Sequence, residues 1–418
     1  MKKMLKTAII TFIAGICFVL AGLGLFHNLD RQRGGEGLFA LAIINPPYVY
    51  GTLTYAPPPW PGEQNDDADQ PNGHTEDVRH DTPDRVNGLN NENAHEHAPP
   101  PFPDDPQEPE DCPYTVTILL SAAGDATLGG DVRWAGYHAF MREYRGFNGD
   151  MTQFLRHVRH VFYASDLSIV NLEGTLTYAT EHEDKEFAFR GPPRFAHILR
   201  YGYVDAVTIS NNHTLDFFRV GYDDTRRALT DAGIVYFGNE FNTIMEVNGI
   251  NVGLFGHRVW GDFIHVRNAI TASVNDLRQR GAQIIIAYYH WGVMGQNMPE
   301  DYQRIIGRWT VDLGVDLVLG AHPHVIQGVE NYNGVYIVYS LADFIFGGNA
   351  NPADQDAFIF QQEFTFYRGE LITRGEANLI PIFMSSVRTH NDMQPVIAEG
   401  ADAERILGRL ERYSGWLQ

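Results

Sequence analysis

With 418 residues and 44% hydrophobic content, the chain exceeds the usual single-domain size and carries enough apolar material for a real core, so one large domain with extensions, or two domains, is expected. Its formal net charge of −21 argues against nucleic acid or an anionic membrane surface as the main partner, because both select basic patches.

The extreme N-terminus is locally basic: MKKMLK precedes Thr7–Phe26, twenty residues without a charge. Such a run is long enough to cross about 30 Å of hydrocarbon as a helix, and the preceding lysines favour keeping the N-terminus in the cytoplasm. The competing reading is a cleaved secretory signal, although the run exceeds a typical signal core and no clear Ala-x-Ala site follows. Both readings export the remainder. Cys17 lies inside the run with apolar residues beyond it, which disfavours lipid attachment. Cys112 is the other cysteine, so the exported part forms no internal disulfide and must stand on its core.

Residues 27–60 are ambiguous, with LFALAII and PPYVYGTLTYAPPPW able to order against a domain or a membrane. From Trp60 to Cys112 the chain is rich in Pro, Asn, Asp, Glu and His and nearly free of aliphatic residues. Residues 61–110 hold fourteen acids and two arginines, a net −12 and more than half of the total formal charge. This composition cannot bury enough apolar surface to offset its ordering entropy, so residues 27–112 are expected to be mostly a disordered, self-repelling linker. His74, His80, His95 and His97 fit such a solvated spacer better than a metal site.

From residue 113 onward short apolar runs alternate with amphipathic stretches, the pattern of strands covered by helices. The expected strands are TVTILLSA, LSIVN, DAVTIS, INVGLFG, QIIIAYY, VDLVLG and VYIVYS. Helices are expected over 150–165 (DMTQFLRHVRHVFYAS) and 221–234 (GYDDTRRALTDAGI), and an antiparallel hairpin around Arg368 and Gly369. The expected fold class is α/β, a layered sandwich over 113–418, preceded by a membrane anchor (1–26) and the acidic linker.

Polar residues stand where these strands end. TVTILLSAA runs into Gly124-Asp125, LSIVNL into Glu173, DAVTIS into Asn211-Asn212-His213, IIIAYY into His290, and VDLVL into His322 and His324. Open α/β sheets bind ligands outside the carboxyl ends of their strands, so five segments would deliver polar groups to one rim. Carboxylates, an amide oxygen and neutral imidazoles suit one or two divalent Mn, Fe or Zn ions, and paired ions can clamp a phosphoryl transfer. The missing thiolates disfavour a structural zinc site. Taken singly, each residue has a plainer reading: Asp125 as a helix cap, Asn212 in a turn, His290 in packing, and the His-x-His pair in an ordinary polar loop.

The stretches GDATLGGD (124–131), NLEGTLT (171–177), FAFRGPP (187–193), SNNHTLDFFRVGYDDTRRALTDAGI (210–234), YHWG (289–292), GAHPHVIQGVE (320–330) and IVYSLADFIF (337–346) together resemble the CapA, or poly-γ-glutamate capsule synthesis, family. That family's domain is similar to calcineurin-like metallophosphoesterases. The resemblance implies that Asp125, Glu173, Asn212, His290, His322 and His324 surround the metals. It also implies that His213 protonates a leaving oxygen or stabilises charge. Arg190 is either an anion clamp or a member of a surface salt bridge. Two departures stand out. The superfamily opens with Asp-x-His where this chain has Asp125-Ala126-Thr127, so one metal lacks its usual imidazole. The family often reads Ser-Leu-Gly-Asn where this chain has Ser340-Leu341-Ala342-Asp343.

The expected function is therefore a membrane-anchored, extracytoplasmic protein serving synthesis or export of an anionic capsular polymer, alongside other capsule synthesis subunits. Two alternatives remain open: a metal-dependent hydrolase of phosphoesters unrelated to capsule, and a non-catalytic assembly or polymer-binding subunit. No nucleic-acid partner is expected.

Overall fold

A computed structural model describes residues 115–417; the expected anchor (1–26) and linker (27–112), Cys112 included, lie outside them. Among the described residues no helix is long and apolar enough to cross a membrane.

Strand patterning decides the layers. In β9 (Ile284–Trp291) Ile284, Ile286 and Tyr288 enter the principal core, whereas Ile285, Ala287, Tyr289 and Trp291 enter a second one. A strand apolar on both faces is thereby covered on both. It belongs to a six-stranded sheet ordered β11 (Val329–Tyr332), β12 (Val335–Val338), β10 (Leu317–Ala321), β9, β8 (Ile250–Val259) and β7 (Thr243–Val247). Its β12-β10-β9-β8 centre is parallel and its two outer pairings are antiparallel.

The other large sheet has nine strands. Its path is β17 (Val396–Ile397), β16 (Asn378–Phe383), β14 (Asp356–Tyr367), β1 (Thr115–Thr127), β2 (Leu167–Leu172), β5 (Ala206–Thr208) and β6 (Val235–Phe237), with β13 (Asp343–Phe346) beside β1 and β15 (Glu370–Arg374) beside β14. A two-stranded ribbon joins β3 (Thr175–Leu176) to β4 (Arg190–Gly191). The principal core takes Leu120 and Ile169 from the nine-stranded sheet and Leu254, Ile286 and Leu319 from the six-stranded one. Helices Ala135–Gly146, Ala196–Tyr201 and Phe218–Asp231 add Phe140, Leu199 and Leu229 to it. Helices Ile264–Gln279 and Asp301–Asp312 cover the second core with Ile270, Leu277 and Ile306. The architecture is a layered α/β domain.

Local expectations fared unevenly. Helix Phe218–Asp231 ends three residues before the expected stop, because Gly233 (φ 70°) takes a left-handed turn. There the Ile234 and Gly233 N–H groups donate to the carbonyls of Leu229 and Thr230, a Schellman closure. The hairpin turns at Arg368 (φ 52°) and Gly369 (φ 80°) as expected. The expected helix over 150–165 is a correction. A 3-10 turn covers Met151–Gln153, capped by Asp150, and only Arg159–Tyr163 is α-helical. Phe154, Leu155 and Val158 are fully buried there, and N–H groups of Val158 and Val161 bond three residues back, so core packing overrides the helical period. The C-terminal helix Gly400–Gly415 was not anticipated.

Candidate metal centre

The site forms where parallel strands of both sheets end. Register places Asp125 beside both Asn171 and Asp343, Asn171 beside Thr208, and Ala321 beside His290. Asp125 and His290 lie inside their strands near the carboxyl end, rather than in the loops beyond. Gly124 permits this meeting, since a Cβ there would lie 1.8 Å from the Ala342 carbonyl oxygen. That carbonyl accepts the Asp125 N–H at 2.9 Å. His322 (φ 98°) and His324 (φ 58°) both adopt left-handed backbone, a costly conformation for non-glycine residues that concentrates at functional loops.

The six residues expected around a metal converge. Ligand atoms of Glu173, His290 and His322 lie within 4.8 Å of one another, and so do those of Asp125, Glu173 and His324. Glu173 is common to both groups. Its Oε1 lies 3.6 Å from His290 Nε2 and 3.7 Å from His213 Nε2, while Oε2 lies 3.9 Å from His324 Nε2. Asn212 joins through Oδ1, 2.5 Å from His290 Nε2.

Neighbouring polar groups hold these side chains. Asn171 Nδ2 donates to Asp125 Oδ1 at 2.7 Å and pairs with His290 Nδ1 at 3.1 Å. The His322 N–H donates to Asp125 Oδ2 at 3.1 Å. Asp343 Oδ1 pairs with His324 Nδ1 at 2.8 Å, the carboxylate–imidazole arrangement that orients a ligating ring. The acid of Ser340-Leu341-Ala342-Asp343 thus holds the His324 ring. The other departure is also used, because Thr127 Oγ1 donates to the Glu173 carbonyl at 2.7 Å. His213 stacks on Phe189 with centroids 4.1 Å apart, and its Nδ1 lies 2.7 Å from Asp216 Oδ2. Lys185 Nζ ties Asp216 Oδ1 (2.5 Å) to the Asn212 carbonyl (2.8 Å).

Arg190 stands apart from this convergence. Its guanidinium donates to the carbonyls of Tyr178 and Ala179 and lies 5.3 Å from the Phe217 ring centroid. It makes no salt bridge among the described residues, and the cations lining the adjoining cavity of about 1040 Å³ are Lys185, Arg388, Arg405 and Arg409. Asn171, Lys185 and Asp216 escaped the sequence reading. Asn171 was within reach, because residues two apart on a strand share a face and Glu173 follows it by two; Asp216 follows His213 by three, and Lys185 carries no local signal.

Burial without compensation marks the electrostatics. Both Glu173 carboxylate oxygens and His322 Nδ1 are buried with no hydrogen-bond partner. Burial, then the Asp125 charge, pushes Glu173 well above its usual range, and burial lifts Asp125 to about 6 against the pull of His324. Burial drives His290 well down and His322 to about 3, so both are neutral at pH 7. Burial would also lower His324, but Glu173 and Asp343 raise it to about 10. Two neutral imidazoles, His290 and His322, stand with a Glu173 carboxyl that has no donor, an arrangement that a cation would complete. The described residues thus contain a buried His/Glu/Asp cluster that could hold a metal.

The chain is 27% identical over 242 residues to the PGA biosynthesis protein CapA of Bacillus subtilis (strain 168), covering 53% of this chain and 63% of that protein. It is 28% identical to the capsule biosynthesis protein CapA of Bacillus anthracis over 34% of this chain and 39% of that one. A probable polyglutamine synthesis accessory protein of Mycobacterium tuberculosis (strain CDC 1551 / Oshkosh) is 25% identical over 60% of this chain and 73% of its own length. The chain thus matches less than two thirds of the length of the two Bacillus relatives. Residues 119–348, more than half of the chain and the stretch holding every residue of the cluster, match the family model for bacterial capsule synthesis protein PGA_cap, and the chain belongs to that family.

Proposed function

We propose that this protein is a membrane-anchored, extracytoplasmic capsule synthesis protein that handles an anionic polymer of the poly-γ-glutamate type at a divalent-metal centre on a metallophosphoesterase-like fold. The observation that carries the metal reading is Glu173: two buried, undonated oxygens between two ligand groups. Asp125, Glu173 and His324 would hold one cation, and Glu173, Asn212, His290 and His322 a second. A Mn, Fe or Zn ion there supplies Lewis acidity and neutralises charge on a phosphoryl or carboxyl oxygen. Asp216 occupies the Nδ1 side of His213, so proton exchange is confined to Nε2, which faces Glu173. The names of the relatives support the polymer and, through the accessory role named in Mycobacterium, partners among other synthesis subunits. The uncharged Thr7–Phe26 run supports the anchor.

Elemental analysis of the purified chain after loading with Mn²⁺ tests the centre: one or two ions per chain are expected, and none at saturation removes it. His213→Ala then separates the alternatives. In a phosphoester hydrolase, turnover of an aryl phosphodiester falls roughly 10²-fold. In an assembly subunit there is no turnover to lose, and cells carrying the variant still make polymer.

A further inference from the structure

The cavity beside the cluster is built from two parts of the chain. Asn212, His213 and His324 line it from within residues 119–348, and Arg388, Arg405 and Arg409 line it from the part beyond the family match. Two of these arginines are already neutralised: Arg405 bonds Asp356, and Arg409 bonds both Asp354 and Asp356. Arg388 differs. Its guanidinium carbon lies 3.6 Å from the Phe383 ring centroid, and it has no carboxylate partner among the described residues.

The loop presenting Arg388 is braced from below. Asp392 Oδ1 accepts from Ser385 Oγ and the Ser386 N–H, both at 2.9 Å. Asn391, fully buried, donates to the carbonyls of Phe346 (2.8 Å) and Asn349 (2.9 Å), in the segment that forms the cavity lip. Buried polar side chains thus hold an exposed arginine in place. One face of its fork rests on an aromatic ring, which leaves the N–H edge for a carboxylate or phosphate.

We propose that Arg388 is a second anion subsite, so that the cavity takes an extended ligand with at least two anionic groups, one at the cluster and one on Arg388. The inference rests on reading the cluster as a cation centre. It assigns to residues beyond the family match the selection of chain-like over single anions. Glu186, exposed on the cavity lining, makes no ion pair among the described residues, unlike Asp343, Asp354 and Asp356, and would bias how such a chain enters.

Titration calorimetry on the Mn²⁺-loaded full chain tests this with three probes: an oligo-γ-glutamate decamer, inorganic tripolyphosphate and orthophosphate. Arg388→Ala is expected to weaken at least one of the two chain-like probes about tenfold, the scale of a charge-assisted hydrogen bond, and Arg388→Glu to weaken it further. Orthophosphate binding and the melting temperature should not change. The probe showing the loss identifies a polycarboxylate or a polyphosphate occupant. Unchanged affinity of both chains in Arg388→Glu overturns the inference alone, as does wild-type protein that binds orthophosphate but neither chain. Wild-type protein that binds none of the three overturns the cation centre as well.

Discussion

Asp356 and Glu173 are both buried carboxylates, and the protein treats them in opposite ways. Asp356 accepts from Arg405 at 2.5 and 2.7 Å and from Arg409 as well. Burial alone would raise it, but those hydrogen bonds hold it below the usual carboxylate range. Glu173 has imidazoles near it and no donor at all, and it is pushed well upward. A buried charge is tolerable when paired and costly when it is not. The first region completes itself from its own side chains and pins the C-terminal helix to β14. The second leaves both Glu173 oxygens without a hydrogen-bond partner among the described residues.

The sharpest way to break this contrast is Glu173→Gln. Removing the shared carboxylate is expected to lower Mn²⁺ affinity more than about a hundredfold, beyond the effect of losing an orienting partner. The metal-free variant should nonetheless be about 1–2 kcal/mol more stable than metal-free wild type, because a neutral amide carries a smaller desolvation cost. A lower melting temperature in EDTA would make Glu173 a structural residue. Asp356→Asn should do the reverse, leaving Mn²⁺ affinity intact while lowering unfolding free energy by about 2–3 kcal/mol, less than for a fully buried pair because Arg405 is partly exposed. The pH dependence follows from the sign. A depressed carboxylate contributes stability that is present above its ordinary value of 3.8 and lost as pH falls, so Asp356→Asn should flatten the acid limb of the stability curve in urea titrations. Asp343→Asn is the mildest test. It should keep the fold and reduce Mn²⁺ affinity about tenfold by loosening His324; unchanged affinity would show that Asp343 does not orient that ring.

Much of this was readable before any coordinates. A buried strand must be apolar, so polar residues at its end stand out; that ground brought forward Asp125, Glu173, Asn211, Asn212, His213, His290, His322 and His324 together, and the family resemblance implied which six of them would surround a metal. The hairpin at Arg368-Gly369 was readable because turn residues act locally. The failures share a cause. The helical period over 150–165 was real, but the packing of Phe154 and Leu155 against distant strands decided the backbone. Asp216 and Lys185 act through partners of ordinary spacing or far away in the chain, so their types alone said little.

Composition and alternation therefore determined an α/β domain with polar residues at its strand ends, since burial rules act on neighbours along the chain. Only the tertiary structure decided that Glu173 stands between two ligand groups, that Asp343 holds His324, and that Arg388 faces the same cavity while Arg190 is held by loop carbonyls. Those facts depend on parallel register and on which side chains already have partners, and neither is written in any short stretch of sequence.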